Sequence, residues 1–314
     1  MSAFGQSSSS FSHGVLESPT AALIRWHRLS PSTAPPPRSY LAMTYDAAHH
    51  NIVMFGGFGG GYRNDTWLFD GVSWKKARTP VAPPPRANGE MAYDATNHQV
   101  VLFGGFNGSE YLRDTWIWDG AAWREAKPVH SPPAVTGPMI FTDPDGKVDE
   151  FGGFDGNFYQ YTMWRWEGKD WQHLYPAILP YARSSAAVAL NPALKQVMLF
   201  GGLADVNPVN TWTFDRRSWN LQAVATQPPW AYSASAAYDP AFNGVIMFGG
   251  GNGGVDQNDT WVWSGSYWTQ LSPLSPPPPR EGAGMAYDEA LGHIILFGGQ
   301  NSAGFMNDTW EFIP

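Results

Sequence analysis

The sequence contains no cysteine in 314 residues. That absence removes disulfides, thiolate metal sites and thiol-based catalysis. Charge is also sparse: 15% of residues are charged, and acids outnumber bases 27 to 19, for a formal net charge of −8. A deficit of bases argues against nucleic acid as the main partner. No apolar run approaches the length of a membrane span, so no membrane partner is expected. The first residues, MSAFGQSSSSFSHGVLESPTA, lack the basic start and apolar stretch of a secretory signal. Residues 1–22 are therefore expected to be a flexible Ser-rich tail, and the cytoplasm is the default compartment. No His/Asp/Glu set has a recognisable metal-ligand spacing, so neither metal nor cofactor is expected.

Tryptophan (16) and glycine (34) are abundant, and both are periodic. Gly-Gly pairs begin at 56, 104, 152, 201, 249 and 298, in steps of 48, 48, 49, 48 and 49 residues. Each pair closes a short run: IVMFGG, VVLFGG, VDEFGG, VMLFGG, VIMFGG and IILFGG. A second column is Trp67, Trp116, Trp164, Trp212, Trp261 and Trp310. Repetition at this period, with apolar runs of strand length, marks a propeller blade. Within the first unit the breaks place strands at about 39–45, 51–55, 65–70 and 73–77, with an Asp70-Gly71 hairpin between the last two.

The fourth-strand tryptophans Trp74, Trp123, Trp171, Trp219 and Trp268 number one fewer than the Gly-Gly pairs. The sixth is Trp26: WHRLSPSTAPPPR at 26–38 matches WTQLSPLSPPPPR at 268–280. Residues 23–29 then form a fourth strand with no first three before it, and the C-terminus forms three strands with no fourth. Together they make one blade and close the ring without an unpaired edge. The fold class is all-β: one six-bladed propeller over residues 23–314, each blade of four antiparallel strands. A monomer is expected.

The hydrophobic-run-Gly-Gly, the Asp before the third strand and the paired tryptophans resemble the kelch-repeat family over residues 22–314. The resemblance implies a strand-one-innermost propeller, and it covers both enzymes and adaptors, so it leaves function open. Kelch proteins that hold iron carry Glu-x3-Asp-x3-His; here Glu110 and Asp114 match, but Trp118 stands in the histidine position. Kelch oxidases with a Cys–Tyr cross-link are excluded by the missing cysteine. Sialate mutarotases, also six-bladed kelch propellers, are a precedent for a cofactor-independent isomerase.

Candidate site residues follow from breaks in the repeat. Arg38, Arg86, Arg183 and Arg280 precede strand one in four units, while Ala134 and Ala231 fill the gaps. Four guanidinium groups at the channel mouth would suit a carboxylate or phosphate; equally, they would hold loop carbonyls or nearby acids. Glu90 is the only charged residue in its strand-one column, Ala42, Pro138, Ala187, Ser235 and Gly284. Trp230 is the only tryptophan outside the repeat columns. Tyr40 lies beside the arginine column, and the Gly-Gly loops add Tyr62, Arg63, Tyr111, Arg113, Phe158, Tyr159 and Tyr161. Aromatics beside arginines at a concave mouth are the makings of a binding site, and loop packing is the competing role for each. Asp149 and Glu150 interrupt an otherwise apolar column, with Arg165 one strand away, so an ion pair inside the third blade is expected.

Two functions from different classes remain. The first is a binding module taking a small anionic or glycan-like ligand, or a peptide, at the loop face. The second is a cofactor-independent isomerase, mutarotase or lyase with Glu90 as acid/base and an arginine clamp.

Overall fold

Six four-stranded antiparallel sheets form a ring in the computed structural model, which describes residues 24–206 and 210–314. The expected 1–22 tail lies outside the described residues. Blade 1 comprises Ala42–Asp46, Asn51–Phe55, Thr66–Phe69 and Trp74–Lys76, close to the strands read from the repeat. Blades 2 to 5 follow the same plan, starting at Glu90–Asp94, Met139–Thr142, Ala187–Asn191 and Ser235–Asp239. Blade 6 is Gly284–Asp288, His293–Phe297 and Thr309–Ile313, completed by Arg25–Leu29 from the other end of the chain. Trp26 lies opposite Phe312 and Leu29 opposite Thr309, so the closure expected from the 26–38 match is present. The first strands of successive blades pack on one another all the way round.

The third unit departs from the sequence alignment by one residue. Glu90 faces Phe103, and Met139, not Pro138, faces Phe151 in the same position. The physical reason is a turn one residue shorter: Asp143 N–H bonds Lys147 O directly at 2.7 Å, whereas blade 2 pairs Asp94 with Gln99. The same slip puts Val135, not Ala134, in the arginine column, since Val135 O accepts from Gly105 N–H as Arg86 O does from Gly57 N–H.

The core is a set of wedges between blades. One such cluster joins Ala42, Val53 and Phe55 of blade 1 to Met91, Val100, Leu102, Trp118 and Trp123 of blade 2. Each fourth-strand indole is buried and reaches back to the previous blade. Nε1 of Trp123 donates to Thr66 Oγ1 at 2.8 Å, Trp171 to Thr115 at 2.8 Å, Trp268 to Thr211 at 2.8 Å, Trp74 to Thr309 at 3.0 Å and Trp26 to Thr260 at 3.1 Å. These bonds explain the Thr of the recurring DTW and NTW triplets: a buried indole N–H needs an acceptor. Blade 3 has Met163 there instead, and Trp219 meets its Sδ at 3.4 Å.

Candidate functional site

The arginine column belongs to the scaffold. Arg38, Arg86, Arg183 and Arg280 are at most 1% exposed. Arg86 donates through Nη1 to Gly104 O at 3.0 Å and through Nε to Pro84 O at 3.1 Å, and it grips both oxygens of Asp114 at 2.7 and 2.6 Å. Arg38 repeats this with Gly56 O and Asp65, and Arg280 with Gly298 O and Asp308. Burial alone would raise these carboxyls, but the guanidinium partner holds Asp65, Asp114 and Asp308 below the usual range. Of the two roles open to these arginines, the structure forms the second: they fold under the Gly-Gly loops onto a backbone carbonyl and, for Arg38, Arg86 and Arg280, a bidentate aspartate, and no ring of free guanidinium groups stands at the mouth among the described residues. Asp114, the residue that matched an iron ligand, is one of these partners. Arg183 is the exception, because Asn210 replaces the aspartate; its Nη2 has no partner among the described residues, and burial pushes its pKa down to about 10.

The mouth itself is built from backbone. Tyr40, Asn88, Ser185 and Ser233 adopt φ of 51–53°, beside Gly137 and Gly282 at 60° and 62°. Each N–H donates to the carbonyl of its counterpart one blade back: Asn88 to Tyr40 at 2.9 Å, Gly137 to Asn88, Ser185 to Gly137 and Ser233 to Ser185 at 2.8 Å each, Gly282 to Ser233 at 2.9 Å and Tyr40 to Gly282 at 2.7 Å. Six residues thus close a hydrogen-bonded annulus around the axis. Left-handed backbone is costly for residues with a Cβ, which explains why glycine, asparagine and serine fill five of the six places. That column was legible in the sequence but was not recognised as a turn position.

Below the annulus runs a channel of about 270 Å³ lined by the six first strands. Its walls include Leu41, Met43, Met91, Met139, Phe141 and Met285. Among the described residues Glu90 is the only carboxyl that lines it, and no Lys, Arg or His does. Among the described residues its carboxyl makes no hydrogen bond or ion pair. Glu90 is half-buried and lines the channel, and burial pushes its pKa up to about 8. Of the small residues at the same level, Ser235 and Gly284 line the channel with it.

Of the other candidates, Tyr40 joins this channel. It belongs to the annulus, and its hydroxyl donates to Glu281 Oε1 at 2.6 Å while accepting from Gln300 Nε2 at 2.9 Å. Burial, and then Glu281, raise its pKa. Trp230 does not reach the channel. It is half-buried on the loop face, where Nε1 donates to Gly202 O at 2.8 Å and the ring lies 5.7 Å from Tyr232. Tyr62, Tyr111 and Tyr159 form a belt with Phe58, Phe106 and Phe154. Tyr62 bridges to the next loop's Phe106 at 5.9 Å, and Tyr111 to Phe154 at 6.2 Å. Arg63 is held by Gly59 O at 3.2 Å, whereas Arg113 and Phe158 are exposed. The structure therefore brings Glu90 and Tyr40 together and leaves the remaining candidates in loop packing or on the surface.

The acids of blade 3 divide. Arg165 Nε donates to Asp149 Oδ1 at 2.8 Å, and its Nη2 also pairs with Asp143, a partner the sequence reading missed. Burial outweighs Arg165 and lifts Asp149 to about 7. Glu150 is not part of this network: neighbouring residues in a strand point to opposite faces, and both its oxygens are buried without a partner. Burial, and then Asp149, raise its pKa well above the ordinary value.

Among the described residues no helix is long and apolar enough to cross a membrane, and no group of three or more acidic, His or Cys side chains could hold a metal ion. No curated protein matches the sequence. A solved structure titled "Structure of YjhT" superposes with a TM-score of 0.70 at 16% identity, over 89% of this chain and 96% of the other, a likeness of fold. The family profile described as the KLHDC2/KLHL20/DRC7 Kelch-repeats domain matches residues 20–202. With that match over more than half its length, and with six blades in a closed ring, the chain belongs to the kelch-repeat propeller family.

Proposed function

We propose that the protein binds a small ligand inside the axial channel, anchored by Glu90. The observation that carries this reading is a carboxyl with no protein partner facing a channel whose wall mixes methionine and aliphatic side chains with Ser, Thr, Asn and Tyr groups. Polar groups in such positions are normally satisfied, and a few convergent polar groups beside apolar walls are the usual composition of a ligand site. The volume suits a molecule of sugar size or smaller. An anionic ligand held by an arginine clamp finds little support, because three of the four arginines are locked to an aspartate, Arg183 is buried against Gly201 O and Asn210, and among the described residues the lining holds no cation. The test is a fragment screen against uniformly folded protein, read by NMR of the methyl groups of Met43, Met91, Met139 and Met285. Hits should perturb these four signals and weaken in Glu90→Ala, a residue that blades 1 and 4 already carry at this level. Hits that act only on the loop-face aromatics and ignore Glu90→Ala would overturn the reading.

One observation favours a second, enzymatic reading. A carboxyl with a pKa near 8 is poised for general acid/base work at neutral pH. Turnover would then show a pH inflection near 8 that disappears in Glu90→Gln.

A further inference from the structure

The sign of the channel narrows the ligand class. Among the described residues Glu90 is the only acid in the channel lining, and that lining holds no base. At the loop-face end, Tyr40 is tied to Glu281, whose carboxylate also lies against Tyr232, and Asp256 lies close enough to Glu281 for the Asp256 pKa to be raised, first by burial and then by that charge. Among the described residues no free guanidinium or ammonium group balances these acids, since Arg38 and Arg280 in the adjoining blades are each locked to an aspartate. We infer that the channel selects a small cation of the primary ammonium class, its charge on Glu90 and its short apolar body against the methionine and aliphatic walls. This deepens the reading above and rests on it.

The chemistry balances with a proton. Burial keeps Glu90 largely in its acid form at neutral pH. Pairing with an ammonium group ionises the carboxyl, and the proton leaves to solvent. The elements packed on the Glu90–Asp94 strand add no competing free cation. Ala42–Asp46 ends on Asp46, bonded to His49; Met139–Thr142 has no charged residue; Gln99–Phe103 has none; and Val148–Phe151 carries Asp149, paired with Arg165, and the unpaired Glu150. The titratable groups facing the channel besides Glu90 are Tyr40, Tyr45, Tyr238 and Tyr287.

Three isosteric probes test this on the full chain: n-butylammonium, 1-butanol and butyrate. Methionine-methyl NMR gives affinities, and calorimetry in two buffers of different ionisation enthalpy counts protons released. Butylammonium is expected to bind at least about tenfold more tightly than butanol, the scale of a hydrogen bond to a charged group. It should release a proton near neutral pH and lose that advantage in both Glu90→Gln and Glu90→Ala, while butyrate should not bind. Butanol or butyrate binding as well as butylammonium would overturn the cation assignment and leave the channel site standing. No methyl response to any probe would overturn both. Cation binding unchanged in the two Glu90 variants would move the site elsewhere and overturn the assignment to Glu90.

Discussion

Replacing Glu90 with glutamine should change the pH dependence of stability, and the sign follows from the direction of its pKa. Burial raises the folded-state value from 4.5 to about 8. Below the unfolded value both states hold the proton, and the folded protein has its full stability. As the pH rises above 4.5 the unfolded chain ionises while the folded state keeps its proton, so stability is lost progressively until the pH passes about 8, where the folded carboxyl ionises too and the loss levels off. Each pKa unit is worth about 1.4 kcal/mol, so the gap sets a ceiling of about 5 kcal/mol. Water in the open channel screens the charge and reduces this to about 2–3 kcal/mol. Glutamine has the shape of the neutral acid and does not titrate. Wild type and Glu90→Gln should therefore melt alike at pH 5 and separate by about 4 °C at pH 9, the variant being the more stable. Asp149, Glu150, Asp239 and Asp256 are also raised, each chiefly by burial, but they titrate in both proteins, so the difference between the two calorimetric curves isolates Glu90. A difference that stays flat from pH 5 to 9, or a wild type that gains on the variant as pH rises, would refute the assignment of an unpartnered carboxyl in the channel.

Removing residues 1–20 should leave the melting temperature within about 2 °C, whereas removing 1–33 deletes the Arg25–Leu29 strand and Trp26, whose burial alone is worth about 4–6 kcal/mol; equal melting of the two truncations would contradict the blade-6 closure. Arg165→Leu should destabilise by about 3–5 kcal/mol in urea titrations because it strands Asp143 and Asp149, while Glu150→Leu should stabilise by about 1–3 kcal/mol by removing a buried, unpaired carboxyl; a destabilised Glu150→Leu would reveal a partner for that acid. Asn210→Asp should restore the bidentate pair that three other blades make and raise stability by about 1–2 kcal/mol, with no gain expected if Arg183 is held another way.

The repeat was legible because its causes are local and recur. A buried indole, a left-handed Gly-Gly and an apolar run leave the same letters every 48 or 49 residues, so the number of blades, the order of strands and the closure by Trp26 could all be read from the chain. The arginine and DTW columns were visible too, and the third unit lacks both, with Val135 and Thr162 in their places. The bond between the two columns is not carried by that joint loss, because the fifth unit keeps Asp259 with Ala231 in the arginine column and the fourth pairs Arg183 with Asn210. The bond went unread because the two lie 27 or 28 residues apart, and sequence spacing does not show which way a guanidinium folds. Glu90 stood out as a charge in a small-residue column, but its isolation did not. Whether a carboxyl meets a cation or an empty channel depends on residues from all six blades converging on the axis. Glu150 shows the same limit from the other side. One strand places it next to Asp149, and the pleat turns it away from Arg165 into a face where no donor waits. Periodicity along the chain set the ring, and side-chain direction within the closed ring decided which charges are paired.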